Sequence, residues 1–232
     1  MKKTAIITGA TSGIGEAITQ MLMSKSFNLV LNGRTVHEKY ENSGQIALCD
    51  LDLLNEKTPQ TLLNLALDQF PTLDYVFVNA GTIISSSIED MDIDNMCRML
   101  RLKVESSFRL IYTVLKHMKR ENNGHLFITS SILGTKTREH AGAYAGANHA
   151  LEVLAESLRM ELADTNLKLT CIEPGLVRTN LHRDWPVHPQ KALGISHALQ
   201  PQDIADTVWE VMNKPAHVRI PRIMVLPQGH KI

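Results

Sequence analysis

The sequence predicts an α/β fold in which a doubly wound parallel sheet is flanked by helices. Short runs rich in β-branched residues, such as Thr4–Thr8 and Tyr75–Val78, have the length and composition of buried strands. Longer segments with apolar residues at helical spacing lie between them, as at Thr58–Gln69. Strands that alternate with helices form parallel sheets. The chain has 232 residues, which suits one such domain, so we expect a single domain over residues 1–232.

A glycine-rich turn joins the first predicted strand to the first predicted helix. Gly9 permits a tight turn, Gly13 allows the backbone to approach a ligand, and Gly15 allows the helix to pack closely on the strand. Unpaired N–H groups at a helix N-terminus suit a pyrophosphate. An ordinary strand-to-helix turn is the alternative, but the position between a strand and an amphipathic helix favours dinucleotide binding. The predicted cofactor contacts in this turn are Gly9, Thr11, Ser12, Gly13 and Ile14.

The composition argues against several classes of partner. Twenty-four basic and 24 acidic residues give a formal net charge of zero, which offers no sign of nucleic-acid binding. No apolar run approaches the roughly 20 residues of a membrane span, and the N-terminus does not resemble a signal peptide. Cys49, Cys97 and Cys171 form neither a disulfide framework nor a zinc pattern and are predicted to be buried. We expect a cytoplasmic protein without membrane, nucleic-acid or metal partners.

Arg34 follows the second predicted strand, Phe27–Asn32. In doubly wound folds this strand end faces the adenosine ribose, where an acidic residue binds the 2′-hydroxyl of NAD. A cation here suits the 2′-phosphate of NADP, so the sequence favours NADP over NAD. A solvated surface arginine is the alternative. The fourth predicted strand ends in Asn79-Ala80-Gly81, where small residues allow a cofactor to approach closely.

The glycine turn, residues 78–81 and the later Pro174-Gly175 motif resemble motifs of the short-chain dehydrogenase/reductase family. The spacing Gly-x-x-x-Gly-x-Gly matches, and residues 78–81 resemble the family's Asn-Asn-Ala-Gly motif with Val78 in place of the first asparagine. The resemblance implies a Rossmann-type fold and a nicotinamide cofactor. It implies that Asp50 contacts the adenine amino group, although capping of a turn or helix is the alternative. It also implies cofactor contacts around the Pro-Gly motif, at Pro174, Gly175, Val177 and Thr179.

Ser131 and Tyr144 have the spacing of the family's catalytic serine and tyrosine. A serine hydroxyl can hold a carbonyl oxygen while a tyrosine hydroxyl donates a proton as hydride arrives. Taken singly, each has an ordinary alternative, as a strand-end turn residue and as an aromatic of the first helical turn. The unperturbed pKa of tyrosine is about 10, and the family provides a lysine four residues later. This chain has Asn148 there.

Lys103 offers a replacement for the missing cation. It stands in the predicted helix Met91–Met118, at the position where the family carries an asparagine. We hypothesise that the two residues have exchanged, so that Lys103 supplies the charge beside Tyr144 while Asn148 hydrogen-bonds the ribose. The alternative is that both positions have drifted and that Lys103 is a solvated helix cation.

Residues 180–199 are predicted to form a substrate lid, because the segment is polar and interrupted by prolines. Trp185 either covers a substrate or anchors this loop, and Thr179 either contacts the cofactor or caps the next segment. The closing run Ala216–Pro227 is predicted to form the last strand. This C-terminal run resembles the branch of the family that oxidises serine and 3-hydroxy acids, which places small hydroxy acids among the candidate substrates.

The sequence therefore predicts an NADP-dependent oxidoreductase that interconverts a secondary alcohol and a carbonyl compound. Its predicted catalytic residues are Ser131, Tyr144, Lys103 and Asn148. The alternative is a non-catalytic NADP-binding sensor or partner subunit. In the family, the helix that corresponds to Met91–Met118 contributes to a dimer seam, so the resemblance implies a homo-oligomer, either a dimer or a tetramer.

Overall fold

A parallel sheet forms the centre of the molecule, which confirms the predicted fold class. The structure is a computed structural model and describes residues 1–183, 185, 187 and 189–231. Within these residues the strands are β1 (Thr4–Thr8), β2 (Asn28–Asn32), β3 (Ile46–Cys49), β4 (Tyr75–Val78), β5 (His125–Thr129), β6 (Lys168–Pro174) and β7 (Arg222–Val225).

The strands lie in the order β3-β2-β1-β4-β5-β6-β7. The order reverses between β1 and β4, which are neighbours although two strands separate them in the sequence. In open α/β sheets, ligands bind beyond the carboxyl ends of the strands at such a reversal. Because Ile7 pairs with Phe77, the turn that follows β1 lies beside the residues that follow β4.

Helices pack on both faces of the sheet. Alternate strand residues point to opposite faces. Ile6 and Val76 therefore belong to the core beneath α2, α4 and α5, while Ile7 and Phe77 belong to the core beneath α1 and α7. The helices are α1 (Gly13–Ser24), α2 (Thr58–Gln69), α3 (Ile93–Leu100), α4 (Ser106–Glu121), α5 (Gly142–Glu161), α6 (Pro189–Ala192) and α7 (Pro201–Met212).

The long helix predicted over Met91–Met118 is divided. A π-helical turn at Arg101–Glu105 separates α3 from α4. Lys103 is buried within this turn, whereas Arg101 and Glu105 are exposed. A π turn contains an extra residue and changes the direction in which side chains leave the helix, and such turns are frequent at functional sites.

Two further predictions were wrong in detail. The predicted strand within Ala216–Pro227 is limited to Arg222–Val225, because Pro221 and Pro227 on either side lack the N–H group that a ladder needs. Cys97 is exposed on α3, while the other two cysteines are buried in strands. In the described part of the chain, no helix is long and apolar enough to cross a membrane.

Candidate active site

A cavity of about 360 Å³ opens at the carboxyl ends of the strands, where the strand order reverses. It brings together residues that are widely separated in the sequence. Of the predicted site residues, those that line it are Gly9, Ser12, Gly13, Ile14, Asn79, Ala80, Gly81, Lys103, Ser131, Tyr144, Pro174, Gly175, Val177 and Thr179.

The glycine turn offers backbone rather than side chains to the cavity. Gly9 and Gly13 have φ angles of +67° and +54°, which side-chain-bearing residues rarely adopt. A Cβ atom on Gly13 would lie 3.0 Å from the Cγ2 atom of Thr179. Ser12 is the N-cap of α1, and among the described residues its side chain makes no capping hydrogen bond. The first N–H groups of α1 therefore remain available to a pyrophosphate, so the turn fits a dinucleotide.

Asn79 ties together the three central strands at the floor of the cavity. Its Nδ2 atom donates to the carbonyl oxygen of Thr8 at 3.2 Å, and its Oδ1 atom accepts from the hydroxyl of Thr129 at 3.1 Å. Ala80 and Gly81 follow it and leave the space beside β4 open. The side chain of Asn79 thus holds β1, β4 and β5 in place while the backbone after it faces the cavity.

Lys103 reaches into the cavity from the π-helical turn. The side chain is buried, and its Nζ atom donates to the carbonyl oxygen of Thr129 at 3.4 Å. The same Nζ atom lies 5.6 Å from the centre of the Tyr144 ring. Burial lowers the pKa of Lys103 to about 8. The solvated helix cation of the alternative interpretation is therefore wrong, since this ammonium group lies inside the site.

Tyr144 stands in the first turns of α5, with its phenol in the cavity. Burial raises the pKa of Tyr144, and hydrogen bonding from Ser131 and Asn148 and the positive charge of Arg138 act in the opposite direction. Ser131 is the N-cap of a short 3₁₀ turn, where its Oγ atom accepts from the N–H of Leu133 at 3.1 Å. Both hydroxyls are thus held at one end of the cavity.

Asn148 lies beneath Tyr144 and outside the cavity wall. It is fully buried on α5, and its Nδ2 atom donates to the carbonyl oxygen of Tyr144 at 2.8 Å. Its Oδ1 atom has no hydrogen-bond partner in the described part of the chain. The amide is turned back along its own helix, so this position does not support the predicted ribose contact.

Three other predicted cofactor residues lie outside the cavity lining, at its adenosine end. Arg34 is exposed after β2, and the exposed carboxylate of Asp50 lies 3.9 Å from His37. The carbonyl oxygen of Thr11 accepts from the Nζ atom of Lys39 at 2.8 Å. The same Nζ atom pairs with the carboxylate of Glu16 at 2.6 Å, so the charge of Lys39 is already compensated within the chain.

Sequence reasoning missed two cavity residues at the catalytic end. Arg138 lies in the segment between the 3₁₀ turn Ile132–Gly134 and α5, and His230 lies two residues from the C-terminus. Neither belongs to a periodic segment or to a motif. The sequence offers only their residue types as a signal, a cation between Ser131 and Tyr144 and an imidazole near the end of the sequence.

Comparisons with known proteins identify the family. The profile described as short chain dehydrogenase matches residues 3–189. An uncharacterised oxidoreductase of Staphylococcus aureus (strain MW2) is 31% identical over 231 residues, which cover 97% of each chain. An alcohol dehydrogenase from the archaeon Thermococcus sibiricus, complexed with 5-hydroxy-NADP, has a TM-score of 0.86 at 24% identity and covers 100% of this chain and 99% of its own. A 3-ketoacyl-(acyl-carrier-protein) reductase from Brucella melitensis, complexed with NADH, has a TM-score of 0.87 at 18% identity, with coverages of 99% and 98%.

The chain therefore belongs to the short-chain dehydrogenase family, as the resemblance predicted. It is an NAD(P)-dependent oxidoreductase. The two solved structures are less than 25% identical to it, so their likeness establishes the fold.

Proposed function

We propose that the protein is an NADP-dependent oxidoreductase that interconverts a secondary alcohol, small hydroxy acids included, and a carbonyl compound. One observation carries this proposal: Tyr144, Ser131 and Lys103 share a cavity with the open N-terminus of α1. When bound, the nicotinamide cofactor supplies hydride to the carbonyl carbon or accepts it from the alcohol. The side chains described above hold the substrate oxygen and move its proton.

Tyr144 acts as the proton donor in carbonyl reduction. Because burial raises the pKa of Tyr144, the phenol is protonated at neutral pH. A protonated phenol can give its proton to a carbonyl oxygen that becomes negative as hydride arrives. The hydroxyl of Ser131, which lines the same end of the cavity, holds that oxygen. In alcohol oxidation the proton moves in the reverse direction.

Lys103 stabilises the tyrosinate that this step leaves behind. At 5.6 Å from the ring centre, a unit positive charge interacts with a tyrosinate by about 3 kcal/mol at an effective dielectric constant of about 20. That energy corresponds to roughly 100-fold in rate. Asn148 contributes as a positioning residue, because its amide fixes the helical turn that carries Tyr144.

Arg34 supports the preference for NADP, because it places an exposed positive charge directly after β2. Fluorescence titration should show tighter binding of NADPH than of NADH, and Arg34→Ser should narrow the difference. Arg120→Ser is a matched control, since Arg120 lies in the last turn of α4, which leads into the amino end of β5, whereas the cavity lies at the carboxyl ends of the strands. Equal or tighter binding of NADH would contradict this part of the proposal.

We further propose that residues 180–199 act as the substrate lid. Asn180, Leu181, Pro189 and Leu193 line the cavity, and the rings of His182 and Trp185 lie 4.9 Å apart. Asp184, Pro186 and His188, which belong to the predicted lid, lie outside the described residues.

Homo-oligomer formation and a cytoplasmic location stay predictions. The exposed side chains of Tyr112, Val153 and Met160 provide apolar surface for a subunit contact.

Ionisation of Tyr144 tests the proposal without knowledge of the substrate. Near-ultraviolet absorbance of the NADP⁺ complex is followed against pH, and the curve of Tyr144→Phe is subtracted. Because Tyr144 and Lys103 would titrate as a coupled pair, we expect part of the tyrosinate absorbance of the wild type to appear near pH 8, as the pair loses its first proton, and to be missing at that pH in Lys103→Met. Identical curves would remove Lys103 from the mechanism and favour the non-catalytic alternative.

A further inference from the structure

The cavity wall carries several cations and no acidic side chain within the described part of the chain. Lys103, Arg138 and Arg183 line it, together with His182 and His230. Lys103 contacts Thr129 and lies over Tyr144. The N-terminus of α1 provides the place for a pyrophosphate. Neither Arg138 nor His230 takes part in the proton transfer proposed for Tyr144, Ser131 and Lys103.

Arg138 presents an unpaired guanidinium group to the cavity. Its backbone is held, since its carbonyl oxygen accepts from the N–H of Ala141 at 3.2 Å, immediately before α5. Among residues 1–183, 185, 187 and 189–231, no carboxylate lies within 4.0 Å of its side chain. A half-buried arginine without a protein partner is suited to bind an anion from outside the chain, and its planar fork matches a carboxylate.

His230 faces the same part of the cavity from the C-terminal tail. A turn fixes its backbone, because its N–H donates to the carbonyl oxygen of Pro227 at 3.2 Å. The imidazole packs over Gly175, where a Cβ atom would come within 2.7 Å of its Nδ1 atom. That Nδ1 atom is inaccessible to solvent and has no partner in the part of the chain that the structure describes. A buried ring nitrogen without a partner is unfavourable unless a ligand supplies one.

Arg138, His230 and Tyr144 line the same cavity, and the positive charge of Arg138 affects the other two groups. Burial is the main cause of the lowered pKa of His230, and the charge of Arg138 lowers it further. The same guanidinium is among the groups that act on the phenol of Tyr144. An anion bound between Arg138 and His230 would thus lie near the proton donor, away from the adenosine end marked by Arg34.

We infer that Arg138 and His230 form a binding site for the carboxylate of the substrate, so that the enzyme acts on small oxo acids and the matching hydroxy acids. This inference rests on the proposed function, because it names the substrate class of the same cavity. The guanidinium group makes the charge-assisted contact, and the edge of the His230 ring that does not face Gly175 lines the same cavity. This contact would also orient the substrate, because a carboxylate held at Arg138 leaves the rest of the molecule to extend toward Tyr144 and Ser131.

The test compares each of two oxo acids, pyruvate and acetoacetate, with its neutral methyl ester. In the wild type we expect the acids to be reduced with the higher kcat/KM. Arg138→Gln should raise the KM for the acids about 10- to 100-fold, the loss expected for a hydrogen-bonded charged group, and leave the esters within about twofold. His230→Gln should act in the same direction to a smaller extent, and Arg138→Lys should restore part of the loss.

Lys136→Gln is the matched control, because Lys136 is an exposed cation in the same segment and does not line the cavity. An equal effect of Lys136→Gln, or equal losses for acids and esters, would overturn the inference. A weaker affinity of Arg138→Gln for NADPH would assign the residue to the cofactor instead.

Calorimetry separates failure of this inference from failure of the proposed function. The two oxo acids are titrated into the NADP⁺ complexes of the wild type and of Arg138→Gln, which have no hydride to transfer. Tighter binding to the wild type supports the carboxylate site even where no turnover is seen, in which case the proposed catalysis alone would be contradicted. Equal binding to both proteins would overturn the carboxylate site.

Discussion

In the cofactor half of the cavity the backbone makes the shape, whereas in the substrate half the side chains do. The cofactor half comprises the turn Gly9–Ile14 and the strand end Asn79–Gly81. The proposed substrate half comprises Arg138, His230 and the described residues of the segment 180–199 that line the cavity. Positive φ angles and close approaches of the glycines define the first half. Long polar side chains from segments outside the sheet define the second.

This difference explains how one fold can keep its cofactor and change its substrate. Side chains in the substrate half can be exchanged without disturbing the sheet, because they project from connecting segments. In the cofactor half, an added Cβ atom at Gly9 or Gly13 would lie 3.0 Å from a neighbouring atom, on a backbone with a positive φ angle. Lys103 and Tyr144 stand at the boundary, on helices that pack against the sheet.

The largest expected effect is on turnover, for a substitution at Tyr144, which lies between the two halves of the cavity. Tyr144→Phe should lower the turnover of any carbonyl substrate by about 10³-fold, because proton donation is lost. The dissociation constant of NADPH should stay within about twofold, since the ring is retained. Tyr112→Phe, at an exposed position of α4, is the control for loss of a hydroxyl. A Tyr144→Phe enzyme with wild-type turnover would mean that another group donates the proton.

Lys103→Met should lower turnover by about 100-fold near pH 7, as estimated above from the charge at 5.6 Å. The pKa of Lys103 is about 8, so the ammonium is present below that pH and is lost above it. Wild-type turnover in the direction of reduction should therefore fall as pH rises through about 8, and the variant should lack this fall. A fall of the same size in Lys103→Met would assign the titration to a different group.

A break in the cofactor half should affect binding rather than proton transfer. Gly13→Ala places a Cβ atom 3.0 Å from Thr179 at a φ angle of +54° and displaces the first N–H groups of α1. We expect NADPH to bind about 10- to 100-fold more weakly, the usual loss for a hydrogen bond to a charged group.

Gly146→Ala provides the matched glycine control for that experiment. Gly146 lies inside α5 with open space around its Cα atom, so a methyl group meets no neighbour. Alanine is the better helix former there, by up to about 1 kcal/mol. The variant should be slightly more stable in urea and should bind NADPH normally. Weaker NADPH binding by Gly146→Ala would show that added methyl groups act through the fold rather than through the turn.

The smallest expected effect is on stability and concerns the buried carboxyl group of Glu173. Glu173 is fully buried before Pro174; its Oε1 atom lies 2.8 Å from the Nε atom of Arg222, and Arg222 also pairs with Glu152. Burial, and then the charge of Glu152, raise the pKa of Glu173. The folded state therefore holds a proton that the unfolded state has released, from the ordinary value of about 4.5 upward. In that window the free energy of unfolding falls as pH rises.

Glu173→Gln should flatten this fall by about 1 kcal/mol, the usual size of a single-substitution effect. Urea unfolding measured between pH 4.5 and 7.5 gives the slope. Glu210→Gln, at an exposed position of α7, should leave the slope unchanged. An unchanged slope in Glu173→Gln would mean that this carboxyl does not couple folding to pH.

Several elements of the fold and the glycine turn could be predicted because their signals are local. Thr4–Thr8 is a short β-branched run and Thr58–Gln69 is a periodic one, and both were located as the structure has them. Gly9 and Gly13 indicate a turn, because glycine readily adopts the positive φ angles that a tight turn needs. The spacing of Ser131 and Tyr144 needs only a strand end and the start of a helix. Local propensity over a few residues is enough for each of these.

Lys103 and Asn148 show where local signals stop. Both stand at positions that the family motifs identify, yet only packing decides that the ammonium group turns into the cavity through a π-helical turn. Packing likewise turns the amide of Asn148 back to the carbonyl oxygen of Tyr144. A direction inside a helix depends on which neighbours fill the space, and those neighbours come from distant strands.

By itself, then, the sequence determined the order of strands and helices, the glycine turn and the types of residue at the catalytic positions. Each of these follows from backbone freedom and apolar spacing over short stretches. Only the tertiary structure decided that Arg138 and His230 line one cavity. They lie far apart in the sequence, in segments without periodicity, and contacts with distant parts of the chain, such as that of His230 with Gly175, place them at the same wall.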